Sequence, residues 1–277
     1  MQQPNLRHSL AMDLELRGKT AIVTGGSRGI GKAVARELAR EGVTVAVAAR
    51  NQSDLEATAR ELTAETGGGV IAVACDTGSD DSVKAMVGQA IAGLGRVDIL
   101  VNCAAQPGGQ APPPRLADIS DDVFWPDVNV KVMGYLRCIR EVAPHMAAGG
   151  GGRIVNVSGL AARSTGSAVG SMRNVAVAAM TKNLADELGP RGISVICVHP
   201  ALTRTEKTPG VIQAQAARLG VSQEEVEKRF NRTNVLGRMI DAREVAYVVT
   251  FLASSKAIAI NGDAVVAGGG VPGAIYY

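Results

Sequence analysis

Eight residues, Thr24-Gly25-Gly26-Ser27-Arg28-Gly29-Ile30-Gly31, constrain this chain more than any others. They follow an apolar run, Thr20 to Val23, and open into the helical pattern Lys32–Leu38. A strand, a glycine turn and a helix in that order let backbone N–H groups and the helix N-terminus hold a pyrophosphate. The turn thus predicts a dinucleotide site at the edge of an α/β sheet.

The rest of the chain supports that architecture. Strands are expected near Thr20–Thr24, Thr44–Ala49, Val70–Cys75, Asp98–Asn102, Arg153–Ser158, Ser194–His199 and Ala264–Ala267. Helices fill the intervals: about Ile30–Glu41, Ser53–Thr66, Ser79–Leu94, Ser120–Ala147, Val169–Leu188 and Ala242–Ser254. Continuously apolar strands mean burial on both faces, as in a parallel sheet sandwiched by helices. The Gly149–Gly152 run is too short for a domain linker, so residues 18–277 read as one doubly wound α/β domain behind an N-terminal extension, 1–17. An insertion, Leu202 to Leu236, carries Pro209, Gly210 and a helical stretch from Val221 to Phe230. It follows a strand's carboxyl end, where open α/β sheets bind ligands, and is the natural lid.

Composition narrows the partners. A formal charge of +3, with no basic run interleaved with aromatics, argues against nucleic acid. No run of about 18 apolar residues is present, and residues 1–17 lack a signal-peptide core, so a cytoplasmic, membrane-free protein is expected. Cys75, Cys103, Cys138 and Cys197 lie far apart without metal-like spacing and read as buried free thiols. The partner left is a small molecule.

Further motifs arrive in order. Thr24-Gly25 with Gly29-Ile30-Gly31 resembles the TGxxxGIG turn of the short-chain dehydrogenase/reductase family. Asn102-Cys103-Ala104-Ala105 is similar to its NNAG motif, and Pro200-Ala201-Leu202-Thr203-Arg204-Thr205 to the PGxxxT segment that meets the nicotinamide. Leu236-Gly237-Arg238, Glu244-Val245-Ala246 and Phe251–Ser254 match its final helix, and Asn261-Gly262-Asp263 with Gly268-Gly269 its ending. The likeness spans roughly residues 17 to 270 and implies a Rossmann fold. It also implies that Asp76, after Cys75, meets the adenine and that Asn129 fills the active-site asparagine position. Many members are tetramers, which implies a homotetramer with the tail Val271–Tyr277, carrying Ile275, Tyr276 and Tyr277, buried between subunits.

Charge selects the cofactor. NAD presents a ribose 2′-hydroxyl that a carboxylate after the second strand can accept. Here Ala49 and Arg50 stand there, and Arg28 sits in the turn. Two guanidiniums beside a neutral strand end suit the 2′-phosphate, so NADP(H) is expected over NAD(H).

The catalytic part of the pattern is broken. In the resembled family a Ser, a Tyr and a Lys move the substrate's proton beside the nicotinamide, in a YxxxK helix. That helix is anchored here by Met180-Thr181-Lys182-Asn183-Leu184-Ala185-Asp186-Glu187-Leu188, and counting back puts the tyrosine slot on Gly170 and the ribose-holding lysine slot on Asn174. Between Tyr135 and Tyr247 there is no tyrosine. Lys182 lies about 12 Å further along the helix and reads as a surface residue. Ser158, ending the fifth strand, carries the serine role, although its loop to Gly170 is shorter than the family's. Ser164, Thr165, Ser167 and Ser171 offer only weakly acidic hydroxyls; Arg173 could take an anion; His199 reads as packed.

Losing a positioned general acid costs roughly 10²- to 10⁴-fold, about 3 to 5.5 kcal/mol of barrier. Three readings follow. The first is an NADP(H)-dependent oxidoreductase acting on a small apolar carbonyl or alcohol with a modified proton route. The others are a catalytically silent nucleotide-binding homologue and a non-redox lyase or isomerase.

Overall fold

The strands alternate between two apolar cores. Ala21, Val23, Val45, Val47, Ile99 and Val101 face one of them, and Ile22, Ala46, Ala48, Leu100 and Ile154 face the other. Side chains that alternate along a strand yet are apolar on both faces require helices on both sides. The computed structural model, which describes residues 12–106 and 112–272, has that arrangement. Seven parallel strands run in the order β3-β2-β1-β4-β5-β6-β9: β1 (Thr20–Thr24), β2 (Thr44–Ala49), β3 (Val70–Ala74), β4 (Ile99–Asn102), β5 (Gly152–Val157), β6 (Ile193–Pro200) and β9 (Ala264–Ala267). One face is covered by α1 (Gly29–Arg40), α2 (Gln52–Thr66) and α9 (Ala242–Leu252), through Val34, Leu38, Leu55, Leu62, Val249 and Leu252. The other is covered by α3 (Asp80–Leu94), α5 (Gly134–Ala148) and the end of α6 (Ala168–Leu188). The doubly wound sheet expected from the alternation is therefore present, with chain order reversing between β1 and β4, the point where such sheets bind ligands.

Two stretches differ from the expectation. The helix expected over Ser120–Ala147 is not continuous: α4 (Asp121–Val128) passes through a π-helical turn, Asn129–Met133, before α5 begins. Pro126, inside α4, removes one ladder hydrogen bond and loosens this region. The insertion after β6 holds two helices rather than one. After the short β7 (Thr203–Arg204), which pairs with β8 (Ile240–Asp241), come α7 (Thr208–Leu219) and α8 (Gln223–Asn231). Pro209 and Gly210 occupy the first turn of α7, where a missing N–H is harmless. The two helices close a small core of their own around Ile212, Ala216, Val226 and Met239.

At the N-terminus, Leu16 is already buried in the main core with Leu14 packed beside it, while residues 1–11 lie outside the described residues. So do Ile275, Tyr276 and Tyr277. No helix among the described residues is long and apolar enough to cross a membrane.

Candidate active site

A cleft of about 560 Å³ opens along the carboxyl edge of the sheet, within the range of ligand pockets. The glycine turn forms its floor. Gly25 has φ +65°, and a Cβ there would lie 2.9 Å from the Ala104 nitrogen; a Cβ at Gly31 would lie 2.3 Å from the Gly25 oxygen. The turn is thus drawn tight against the strand end and the helix start, which keeps its backbone open to a ligand. Thr24 is fully buried, and its Oγ1 accepts from the N–H groups of Cys103 (3.2 Å) and Ala104 (3.3 Å), fixing the turn to the chain after β4. Ser27, Arg28, Gly29 and Ile30 line the cleft.

At the β2–β3 side stand Arg50 and Asp76, both exposed and lining the cleft. Asp76 Oδ1 accepts from the Gly78 N–H at 2.9 Å. Neither Arg28 nor Arg50 enters an ion pair among the described residues, so both guanidiniums are available to an anion. From above, Thr203, Thr205 and Glu206 descend from the insertion, with Val211 and Phe230 behind them. Glu206 occupies the N-terminus of α1: its carboxylate accepts from the Gly29 N–H at 3.0 and 3.2 Å, capping a helix whose first turn holds no acidic residue of its own. Pro200 ends β6 opposite Ala267, and Thr203 Oγ1 donates to the Ala201 carbonyl at 2.9 Å.

Not every expected site residue faces the cleft in the role foreseen. Asn102 is fully buried; its Nδ2 donates to Asn156 Oδ1 at 2.9 Å, and its own Oδ1 has no partner among the described residues. Asn129 Nδ2 donates to the Gly78 carbonyl at 3.2 Å, which ties the π turn to the loop carrying Asp76. Among the described residues Asn129 makes no hydrogen bond to Ser158.

A residue the sequence reading passed over takes that place. Lys131, two positions on, is only 4% exposed and borders the cleft. Its Nζ donates to the Ser158 carbonyl at 2.8 Å and to Asn174 Oδ1 at 3.1 Å. Ser158 Oγ in turn donates to the Asn174 carbonyl at 3.0 Å. Lys131, Ser158 and Asn174 are therefore one buried cluster. Burial, then the Arg173 guanidinium, lowers the Lys131 ammonium from 10.5 to about 7. One signal in the sequence pointed to it: Lys131 continues the buried stripe of Tyr135, Cys138 and Val142, at helical spacing.

The remaining candidates are occupied elsewhere. Gly170 lies in the first turn of α6, where its N–H donates to the Ser167 N-cap at 3.1 Å. Arg173 pairs with Asp127 of α4, and Lys182 pairs at the surface with Asp186, 2.6 Å away. His199 is buried as expected, and desolvation holds it down at about 4, hence neutral. Tyr135 is fully buried and donates to the Val157 carbonyl at 2.9 Å. The four cysteines are free thiols, and no metal-holding cluster of His, Cys, Asp or Glu exists among the described residues.

With this geometry in hand, comparison with known proteins is informative. A family model described as short chain dehydrogenase matches residues 19–216. The short-chain reductase protein NovJ of Streptomyces niveus is 35% identical, over 91% of this chain and 93% of its own. Among solved structures, the L-sorbose reductase of Gluconobacter frateurii complexed with NADPH and L-sorbose superposes with a TM-score of 0.89 at 27% identity, covering 95% of this chain and 100% of that one. An actinorhodin polyketide ketoreductase variant with NADPH gives a TM-score of 0.85 at 31% identity, covering 92% and 98%.

Proposed function

The chain belongs to the short-chain dehydrogenase/reductase family, and from that premise we propose that it is an NADP(H)-dependent oxidoreductase acting on a small, apolar carbonyl or alcohol. The observation that carries the cofactor preference is Arg28 and Arg50 lining one end of the cleft, where β2 ends on the neutral Ala49; the carboxylate that also lines this end, Asp54, belongs to the first turn of α2. The residues present fit a dinucleotide. The glycine turn leaves room for a backbone approach, the N-terminus of α1 offers N–H groups to a pyrophosphate, and Asp76 stands at the adenine end. Thr203 and Thr205 would meet the nicotinamide end. When bound, the cofactor supplies the hydride; the chain's part is to hold it, exclude water beneath the insertion, and manage the proton.

That the solved structures it resembles include NADPH complexes and an NADH complex supports a nicotinamide dinucleotide in this cleft, and the choice between the two rests on the arginines. Exposed apolar side chains on α4 and α6, Trp125, Met172 and Val175, support assembly into a homotetramer, which light scattering will measure. The four free thiols accord with a reducing cytoplasm.

Fluorescence titration tests the cofactor assignment. NADPH should bind more tightly than NADH. Arg50→Ala should weaken NADPH by about 10- to 100-fold, as expected for a charge-assisted pair of about 1.5–3 kcal/mol, while NADH changes little. Equal losses for both cofactors contradict the assignment. Binding without turnover of any carbonyl or alcohol would leave a silent nucleotide-binding homologue in its place.

A further inference from the structure

Resting on the oxidoreductase reading above, we infer that Lys131 is the catalytic proton donor of this site, delivering a proton from Nζ to the substrate's carbonyl oxygen from the opposite side of the cavity that a YxxxK helix would have used.

Four observations converge on it. The positions that should carry the phenol and the ammonium hold Gly170 and Asn174, neither of which can give a proton. Lys131 supplies an ammonium at that same place, reaching Asn174 Oδ1 from the facing π turn. Two of its three N–H groups are taken by Ser158 and Asn174, which leaves a third on a group that borders the cleft. And among the described residues Nζ has no carboxylate partner. A fully buried ammonium with only neutral acceptors is costly to keep. Met or Leu would fill the same space without that cost, so a simple packing role does not account for a lysine here.

The backbone around it is also unusual. The π turn Asn129–Met133 interrupts what would otherwise be one long helix, and such turns concentrate at functional sites. The charged and titratable groups acting on Nζ come from every side. They are Arg173 on α6, its partner Asp127 on α4, Cys103 after β4, and Cys197 and the neutral His199 on β6. Burial pushes both thiols up, to about 12 and about 11, so near pH 7 they stay protonated; Arg173 opposes the cation and Asp127 favours it. The result is an amine poised near neutrality, equally able to give and regain a proton.

The step balances. Nζ–H breaks and O–H forms as the carbonyl oxygen takes the C=O π pair. The carbonyl carbon is reduced by hydride from a nicotinamide dinucleotide, which is oxidised, and the neutral amine recovers its proton from water. In the alcohol-oxidising direction the neutral amine accepts the hydroxyl proton.

The test compares wild type, Lys131→Met and Lys131→Arg. NADPH binding is followed by fluorescence, turnover is measured with cyclohexanone, phenanthrenequinone and L-sorbose as probes, and all lysines are titrated by NMR after ε-¹³C labelling. Lys131→Met should bind NADPH within about twofold of wild type and lose at least about 100-fold in kcat. Lys131→Arg, whose guanidinium does not release a proton near pH 7, should lose as much while keeping the cation. The resonance missing from Lys131→Met should titrate near neutrality in wild type, with or without turnover. If either variant retains wild-type kcat, or if that resonance titrates above pH 10, the proposal is wrong while the reductase reading stands. A wild type that binds NADPH but reduces none of the probes overturns the reductase reading and this proposal together. Should Lys131→Met fail to fold, the arginine variant and the wild-type titration decide the question.

Discussion

Three residues set what this site can do with a proton: Gly170 and Asn174 on α6, and Lys131 on the facing π turn. On the α6 side, Gly170 cannot simply be restored to tyrosine: a Cβ there would lie 2.9 Å from Ser167 Oγ, the atom that caps the helix. Asn174→Lys would remove the acceptor used by Lys131 and set a second ammonium against the first. The combined variant Gly170→Tyr/Asn174→Lys should therefore gain no reductase activity and should melt earlier. Loss of the cap costs about 1 kcal/mol and an uncompensated buried charge about 3–5 kcal/mol. Rapid carbonyl turnover by that variant, at wild-type stability, would show that only two side chains had been lost. The glycine turn was legible in the sequence because its demands are local: Gly25 and Gly31 are required by contacts a few residues away in the chain or at the next strand. Lys131 was not legible, because a lysine inside a helical stretch reads as solvent-facing unless its buried neighbours Tyr135 and Cys138 are weighed with it.

Among the elements, the strands were the easiest to read and the insertion the hardest. Strand positions follow from continuous apolar runs that only a two-sided sheet can bury, and the expected bounds differ from the observed ones by no more than a residue or so. The π turn left no mark in composition, since its residues continue the helical pattern on either side. Helix α7 was hidden because Pro209 and Gly210 break helices in their interiors but begin them at their starts. The segment that enters α7 also carries Glu206 onto the Gly29 N–H, where the proposed cofactor would set its phosphate. Binding must displace a carboxylate from the α1 N-terminus and then tolerate it nearby. Glu206→Gln should tighten NADPH by about two- to fivefold, the scale of a charge at a helix terminus, with a larger gain at low salt. Unchanged or weaker binding, measured by fluorescence titration, would mean that Glu206 leaves the cleft at no cost.

For the molecule as a whole, the buried ammonium ties function to stability. In the folded protein Lys131 loses its proton near 7, in the unfolded chain near 10.5. Between those values the unfolded chain binds more protons, so folding stability due to this group rises with pH. Above pH 9 the buried thiols work the other way, because folding holds their protons on to higher pH than the unfolded chain does. The clean window is pH 7 to 9. Across it the melting temperature of wild type should rise by a few degrees relative to Lys131→Met. A difference between the two that does not change with pH would mean that Lys131 titrates normally. The sheet order brings that lysine, with Ser158 after β5, to the same edge as Arg50 after β2, separated by about 14 Å of strand spacings. One cleft therefore joins the Arg28–Arg50 end to Ser158 and Lys131. The most direct measurement of this account is a crystal structure with NADPH bound. It should place the 2′-phosphate within about 3 Å of the Arg28 or Arg50 guanidinium and the nicotinamide ring against Val157 and Ser158, on the wall that Lys131 borders. A dinucleotide bound outside this cleft, or one whose nicotinamide points away from Lys131, would contradict it.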